Sequence, residues 1–322
     1  MTPPRVIHEE QTAFITCRAV GCSFRFVPTE KVTETLLFVL AYTCSKFDVS
    51  VHEVVYMSNH FHLLMTAHAK CIPDFMEQLN SLASRALNAL RGTSGTNFEK
   101  NYGLVEPQDG EKQLTHAVYT LTNPCASDLV TKARLWKGVT TARMRYGEEL
   151  VVQKPRYGLW KPKSTNKQRL AKKRKRRDAR TPSLCGRSII PKTATLRLVR
   201  PRVRLDLSDD ELRDLVFERV AAREDKLETV RAEAGKKVLN MRNVKAQHWA
   251  TMPGAEDLFG VNPTVSATSP DGRIEALRRK KAFEQAYAAA RERWLAGDKD
   301  VEFPGGTWLM WRRYKAQCAS YS

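Results

Sequence analysis

The chain contains no uninterrupted apolar run of the roughly eighteen residues that a membrane-crossing helix needs, so no membrane span is expected. Met1 to Glu10 lacks the short apolar core of a secretory signal. Cysteine is sparse and scattered, at 17, 22, 44, 71, 125, 185 and 318. The number is odd and no Cys-x-x-Cys pair occurs, which argues against both a disulfide framework and a structural zinc site. There is no Gly-Lys-Ser/Thr phosphate loop of the helicase type and no internal repeat. Acidic residues are few for the number of bases, 35 against 54 Lys and Arg.

The resulting net charge of +19 favours a polyanionic partner, of which DNA or RNA is the commonest. Ribosomal or membrane-surface binding would suit the same charge, so charge alone does not choose. Hydrophobic residues make up 42 %, enough for a core, and 322 residues leave room for two domains.

Gln11 to Ala19 is rich in β-formers and reads as a strand. Gly21 to Phe26 reads as a turn and extension. Thr29 can cap a helix running to Phe47, with Leu36, Leu37, Leu40 and Phe47 on its apolar face. Val49 to Met57 and Phe61 to Thr66 read as a hairpin turning at Ser58-Asn59. A second helix is expected from Pro73 to Leu90, with Leu79, Leu82, Ala83, Ala86 and Leu87 in its stripe. Phe98 to Asp109 is ambiguous. A third helix is expected from Glu111 to Thr122, stopped by Pro124. Strand, helix, two strands, helix implies an α+β layer sandwich: a small antiparallel sheet with helices on one face.

Beyond Tyr146 the composition shifts. Lys161 to Arg180 is a basic, polar run without apolar period and reads as a linker or flexible arm. Ile189 to Leu207 alternates apolar and basic residues, as a basic strand or extended arm would. Ser208 can cap a helix from Asp209 to about Ala234, and another helix is expected over about 272–295. Phe303 to Tyr314 is aromatic and basic, and Trp308, Trp311, Arg312 and Arg313 suit either base stacking or packing.

Two spacings carry chemistry. In Asn59-His60-Phe61-His62-Leu63-Leu64, a strand puts His60 and His62 on one face and Phe61 in the core, so both imidazoles can reach one divalent ion. Alone, such a pair also fits ordinary packing. Tyr119 and Asn123 stand four apart on the third helix and so share a face. The phenol can be a nucleophile and the carboxamide an oxygen ligand, although a helical Tyr and an Asn before Pro equally suit packing and turn roles. His8, His52, His68, His116 and His248 stand in no ligand-like spacing and are taken as structural or surface residues.

Together these stretches resemble the Y1 transposases of the HUH superfamily, the IS200-like and REP-associated tyrosine transposases. Their M-P-N-H-x-H strand corresponds to Met57-Ser58-Asn59-His60-Phe61-His62, their Tyr-Ile-x-x-Asn-Pro helix to Tyr119-Thr120-Leu121-Thr122-Asn123-Pro124, and their H-V-T-x-R strand to Phe14-Ile15-Thr16-Cys17-Arg18. Trp136 stands where the family often has an aromatic. Ser58 replaces the usual Pro and Thr120 the usual Ile. The likeness covers about residues 5–147.

The resemblance implies a ferredoxin- or RRM-like HUH core. A catalytic domain over 1–150 would be followed by a basic arm over 151–207 and a basic, largely helical extension over 208–322. It further implies a metal-dependent transposase that cleaves and rejoins single-stranded, hairpin-containing DNA through a 5′-phosphotyrosine. Tyr119 would be the nucleophile, and His60, His62 and Asn123 would hold Mg²⁺ or Mn²⁺. Arg18 and the arm residues Lys172, Lys173, Arg174, Lys175, Arg176 and Arg177 would bind DNA. The protein would be cytoplasmic and nucleoid-associated, as a monomer or homodimer. Three other readings share parts of this pattern: a rolling-circle initiator or relaxase, a metal-dependent nuclease using water, and a non-catalytic nucleic-acid-binding protein on the same fold.

Overall fold

The structure is a computed structural model that describes residues 4–156, 190–253 and 263–321. The run Lys161 to Arg180, with Lys172 to Arg177, lies outside the described residues.

Four strands, β1 (Gln11–Arg18), β2 (Val49–Tyr56), β3 (His60–Ala67) and β4 (Gly103–Pro107), form a sheet in the order β2-β3-β1-β4, all antiparallel. The β4 strand falls in the stretch whose sequence was ambiguous. A two-residue strand, Val265–Ser266, adds to β4 in parallel and closes that edge with a segment from the C-terminal half. The opposite edge is also covered: Tyr56 N–H donates to Val139 O (2.9 Å), Thr141 N–H to Val54 O (3.1 Å) and Val199 N–H to Val51 O (2.8 Å). Unpaired strand groups that would otherwise recruit another chain are thereby satisfied.

Helices α1 (Glu30–Cys44), α2 (Ile72–Arg91) and α3 (Gly110–Ala126) complete the core. The Thr29 hydroxyl accepts from Val32 N–H (3.4 Å) to start α1, and Gly92 ends α2 in the left-handed conformation at φ 68°. The expected single helical face is corrected: helices cover both faces. Phe61, Leu63 and Met65 pack with α1 and α2, whereas Leu64 packs with Phe14, Val105 and Ala117 of α3. Strand β3 is buried on both sides, because His62, Leu64 and Thr66, which alternate with the first set, are buried as well.

Two helix ends differ from expectation. The first stops at Cys44, its last turn closed by Ser45 N–H to Ala41 O (3.1 Å). The third runs through Pro124 to Ala126. Proline there removes one N–H in the final turn only, and Ser127 N–H to Asn123 O (3.0 Å) and Leu129 N–H to Pro124 O (3.0 Å) satisfy the terminal carbonyls.

The C-terminal half packs closely on this core. Strand β5 (Glu149–Gln153) pairs with β6 (Thr193–Arg197), the part of the alternating basic stretch that forms a strand, and Ala194 and Leu196 join the α1/α2 core. Helix α4 (Asp209–Glu233) begins with a capping box between Ser208 and Glu211. Its Leu212, Val216 and Val220 pack on Leu114, Val118 and Leu121 of α3. Fully buried Arg213 pairs with fully buried Glu53 of β2. At the other end Arg231 donates to Asp128 (2.8 Å) and to Cys125 O (2.9 Å). Helices α5 (Asn240–Ala246) and α6 (Pro270–Leu295) follow. Among the described residues no helix is long and apolar enough to cross a membrane.

Candidate active site

The face of β1 and β3 under α3 opens into a cavity of about 450 Å³, bounded by Phe14, Thr16, Arg18, Asn59, His60, His62, His116, Tyr119 and Asn123. Pairing explains the gathering: Thr16 lies opposite His62 and Arg18 opposite His60 in the β1–β3 register. One turn of α3 separates Tyr119 from Asn123, which sets both over the same strands.

The imidazoles stand 4.8 Å apart, centroid to centroid. His60 Nδ1–H donates to Asn59 Oδ1 (2.8 Å), which leaves its Nε2 with a free lone pair. His62 Nδ1 bonds the Thr16 hydroxyl (2.9 Å), and its Nε2 is buried without a partner. Asn123 Oδ1 is also buried and unpartnered. Buried polar atoms left without a partner are costly, and a cation bound here would satisfy the Asn123 oxygen together with imidazole nitrogens that carry a lone pair. Burial pushes His60 down to about 4; a protonated His60 would donate to Asn123, which opposes the shift, while Arg18 reinforces it. His62 is held well below its ordinary value by burial and by His60, His116 and Arg18. Both rings are therefore neutral at neutral pH, as metal ligands must be. Among the described residues no group of three His, Cys, Asp or Glu could hold a metal; the residues at this cavity that could do so are two imidazoles and a carboxamide. Mixed nitrogen and oxygen donors are compatible with Mg²⁺ or Mn²⁺ with open positions, and two imidazoles also with softer ions.

The Tyr119 ring meets His62 edge-on at 5.2 Å and Phe14 edge-on at 5.8 Å. Phe14 stacks between His62 (5.1 Å) and His116 (4.4 Å) and so fixes the plane of the first. The guanidinium of Arg223, on α4, lies 5.3 Å from the Tyr119 centroid.

The structure thus gathers Arg18, His60, His62, Tyr119 and Asn123 around one cavity. His116, read from sequence as structural or surface, belongs to it too; its position three residues before Tyr119 on one helix was the available signal. Thr16 follows from strand pairing, and Arg223 had no sequence signal at all. Trp308 packs, its indole donating to Lys70 O (3.1 Å), and Arg312 pairs with Asp74 (3.2 Å). Trp136 is fully buried, with its indole bound to Tyr56 O (2.9 Å). His8, His52, His68 and His248 lie outside the cavity.

Residues 22–110 match the family described as "Transposase IS200 like". This bears out the resemblance carried by the motifs over less than half of the chain; the match includes His60 and His62 and ends before Tyr119. No curated protein matches. Among solved structures the chain is similar to a REP-associated tyrosine transposase bound to a REP hairpin, with 12 % identity over 44 % of this chain and 82 % of that one, at a TM-score of 0.38. It is also similar to a transposase candidate from Deinococcus radiodurans R1, with 18 % identity over 33 % of this chain and 85 % of that one, at a TM-score of 0.26.

Proposed function

We propose that this protein is a transposase that cuts and rejoins single-stranded DNA through a covalent bond to Tyr119. The observation that carries the reading is convergence. Two imidazoles from a strand and a carboxamide from a helix meet with unsatisfied acceptors beside a tyrosine ring, in a chain whose residues 22–110 match the IS200-like family.

In the forward step the Tyr119 oxygen bonds to the scissile phosphorus and the bond from phosphorus to the 3′ oxygen breaks. The phenol proton passes to solvent and the departing oxygen takes one up, leaving a 5′-phosphotyrosine and a 3′-OH. Attack by the 3′-OH of another strand reverses these changes and joins new ends without ATP, because the phosphodiester energy is kept in the tyrosyl ester. A free phenol, with an ordinary pKa of about 10, is a poor nucleophile at neutral pH. The ring contacts with His62, Phe14 and Arg223 hold it in place and lower the entropic cost of attack. The Asn59 bond fixes the His60 tautomer that presents a free Nε2 lone pair, and the Thr16 hydroxyl holds the His62 ring in place with its Nε2 towards the cavity. Mg²⁺ or Mn²⁺ held by His60, His62 and Asn123 would neutralise charge building on the phosphoryl oxygens.

Single-stranded DNA next to a hairpin is the substrate this site suits, since a phenol cannot readily reach a phosphate in line within a regular duplex. Arg18 would meet the strand at the cavity, and the arm from Lys172 to Arg177 would add backbone affinity that weakens with salt. The protein would act in the cytoplasm, at the nucleoid.

The test is direct. Full-length protein with Mn²⁺ or Mg²⁺ is expected to form a covalent adduct with labelled single-stranded DNA, and Tyr119→Phe to abolish it while leaving binding intact. An adduct that persists in Tyr119→Phe would overturn the assignment. Cleavage without any adduct would instead indicate attack by water.

A further inference from the structure

Beside the cavity, three side chains form an arrangement that the transposase chemistry leaves unexplained. The guanidiniums of Arg25 and Arg91 lie 4.7 Å and 5.0 Å from the same indole centroid, that of Trp249. Arg25 Nε donates to the Ser23 hydroxyl (2.9 Å), and Arg91 donates to Arg25 O (2.5 Å) and Asn97 Oδ1 (3.5 Å). Among the described residues neither cation has a carboxylate within ion-pair distance. By contrast Arg145, Arg200, Arg204, Arg213 and Arg231 are all paired.

Two half-buried like charges held together with no carboxylate of the described residues between them are unfavourable. Burial and the neighbouring Arg25 charge push Arg91 down to about 10. Contacts between their segments nevertheless hold the pair in place. The segment carrying Trp249 is stitched to the loop after β1 by Phe24 N–H to Thr251 O (2.9 Å), and a Cβ at Gly21 would sit 3.1 Å from Met252 Cε. The same loop leads to the cavity: Cys22 lines it, and Phe26 N–H donates to Ser58 O (2.8 Å), next to Asn59. Planar guanidiniums have several donors each and match the oxygens of a phosphate.

We propose that Arg25, Arg91 and Trp249 form a clamp for one backbone phosphate of the DNA strand as it passes the cavity. The inference rests on the DNA-strand reading above and assigns that strand a path along the Gly21–Phe26 loop. The indole holds both guanidiniums against their mutual repulsion, and the phosphate supplies the missing negative charge.

The experiment measures binding of the full chain to a single-stranded oligonucleotide over a salt series, in a Tyr119→Phe background so that no cleavage intervenes. Losing one single-strand phosphate contact makes the slope of log K against log salt shallower by about 0.7. Arg25→Gln with Arg91→Gln is expected to produce that change and to weaken binding about tenfold at low salt. Arg25→Lys with Arg91→Lys is expected to keep most of the slope. Arg273→Gln with Lys281→Gln, two exposed cations on α6, controls for lost net charge and is expected to leave the slope unchanged. If the double Gln variant does not fold, Arg25→Gln alone must still flatten the slope. An unchanged slope in a folded variant overturns the clamp alone. Absence of any binding by the parent overturns the clamp and the DNA-strand reading together.

Discussion

Replacing Arg213 by Met tests whether helix α4 is tied to the β2-β3-β1-β4 sheet by a buried charge. Both partners of the Arg213–Glu53 pair are fully buried. Arg213 also donates to Met144 O (2.8 Å) and Thr141 O (2.7 Å). Methionine fills similar space but leaves Glu53 with only the Thr141 hydroxyl (2.5 Å) and the Tyr146 hydroxyl (3.2 Å). Stranding one buried charge in this way costs about 3–5 kcal/mol. At roughly 2–4 °C per kcal/mol for a chain of this class, Tm should fall by about 10 °C. Burial already raises Glu53 above the ordinary carboxylate range, with Arg213, Thr141 and Tyr146 opposing it. Without Arg213 its pKa rises further, so the folded variant binds a proton that the unfolded chain has released. Stability then falls as pH rises between the unfolded and folded values. The deficit relative to the parent, measured by urea or thermal unfolding, should be largest near pH 8 and shrink towards pH 5. Adding Glu53→Gln should recover much of the loss. A deficit below about 1 kcal/mol at pH 8, or one that grows as pH falls, would refute the reasoning, since stranding a buried charge cannot be that cheap or carry that sign.

Four further outcomes are expected. Arg223→Met should slow single-turnover adduct formation roughly tenfold, the scale of one partly desolvated cation–ring contact, with Arg223→Lys recovering most of it; equal rates would remove Arg223 from the site. Thr16→Val removes the partner that fixes His62 and should weaken Mn²⁺ binding about 10–100-fold by calorimetry, with the fold unchanged in circular dichroism. Chelation with EDTA should abolish the adduct and Mn²⁺ should restore it, whereas a chelator-insensitive adduct would exclude a metal role. Burial holds His52, His60 and His116 at about 4 and His62 well below its ordinary value. Depressed imidazoles contribute stability that is complete above about 6.5 and is lost as pH falls towards 4. Each buried ring adds a slope of about 1.4 kcal/mol per pH unit in that window, which unfolding midpoints between pH 7 and 5 would measure.

Much of the site was legible in the residues. Strand periodicity alone puts His60 and His62 on one face and Phe61 on the other, and helix periodicity puts Tyr119 over Asn123; both placements hold. Local capping chemistry located Thr29 and Ser208 at helix starts. Pro124 misled because a helix-breaking residue in a final turn removes one hydrogen bond that tertiary packing outweighs. The two-sided burial of β3 was hidden because His62 and Thr66 interrupt what a doubly covered strand writes as a continuous apolar run.

Local spacing along strand and helix determined which side chains could act together, because backbone geometry fixes the direction of a side chain within a few residues. Only the tertiary structure decided that the strand and the helix face each other. It also decided that Thr16 meets His62 by cross-strand register, and that Arg213 anchors α4 so that Arg223 reaches Tyr119. These pairings join residues 46, 160 and 104 positions apart. Nothing local encodes them, because chain entropy lets any such pair meet and only the packing of the whole core selects one.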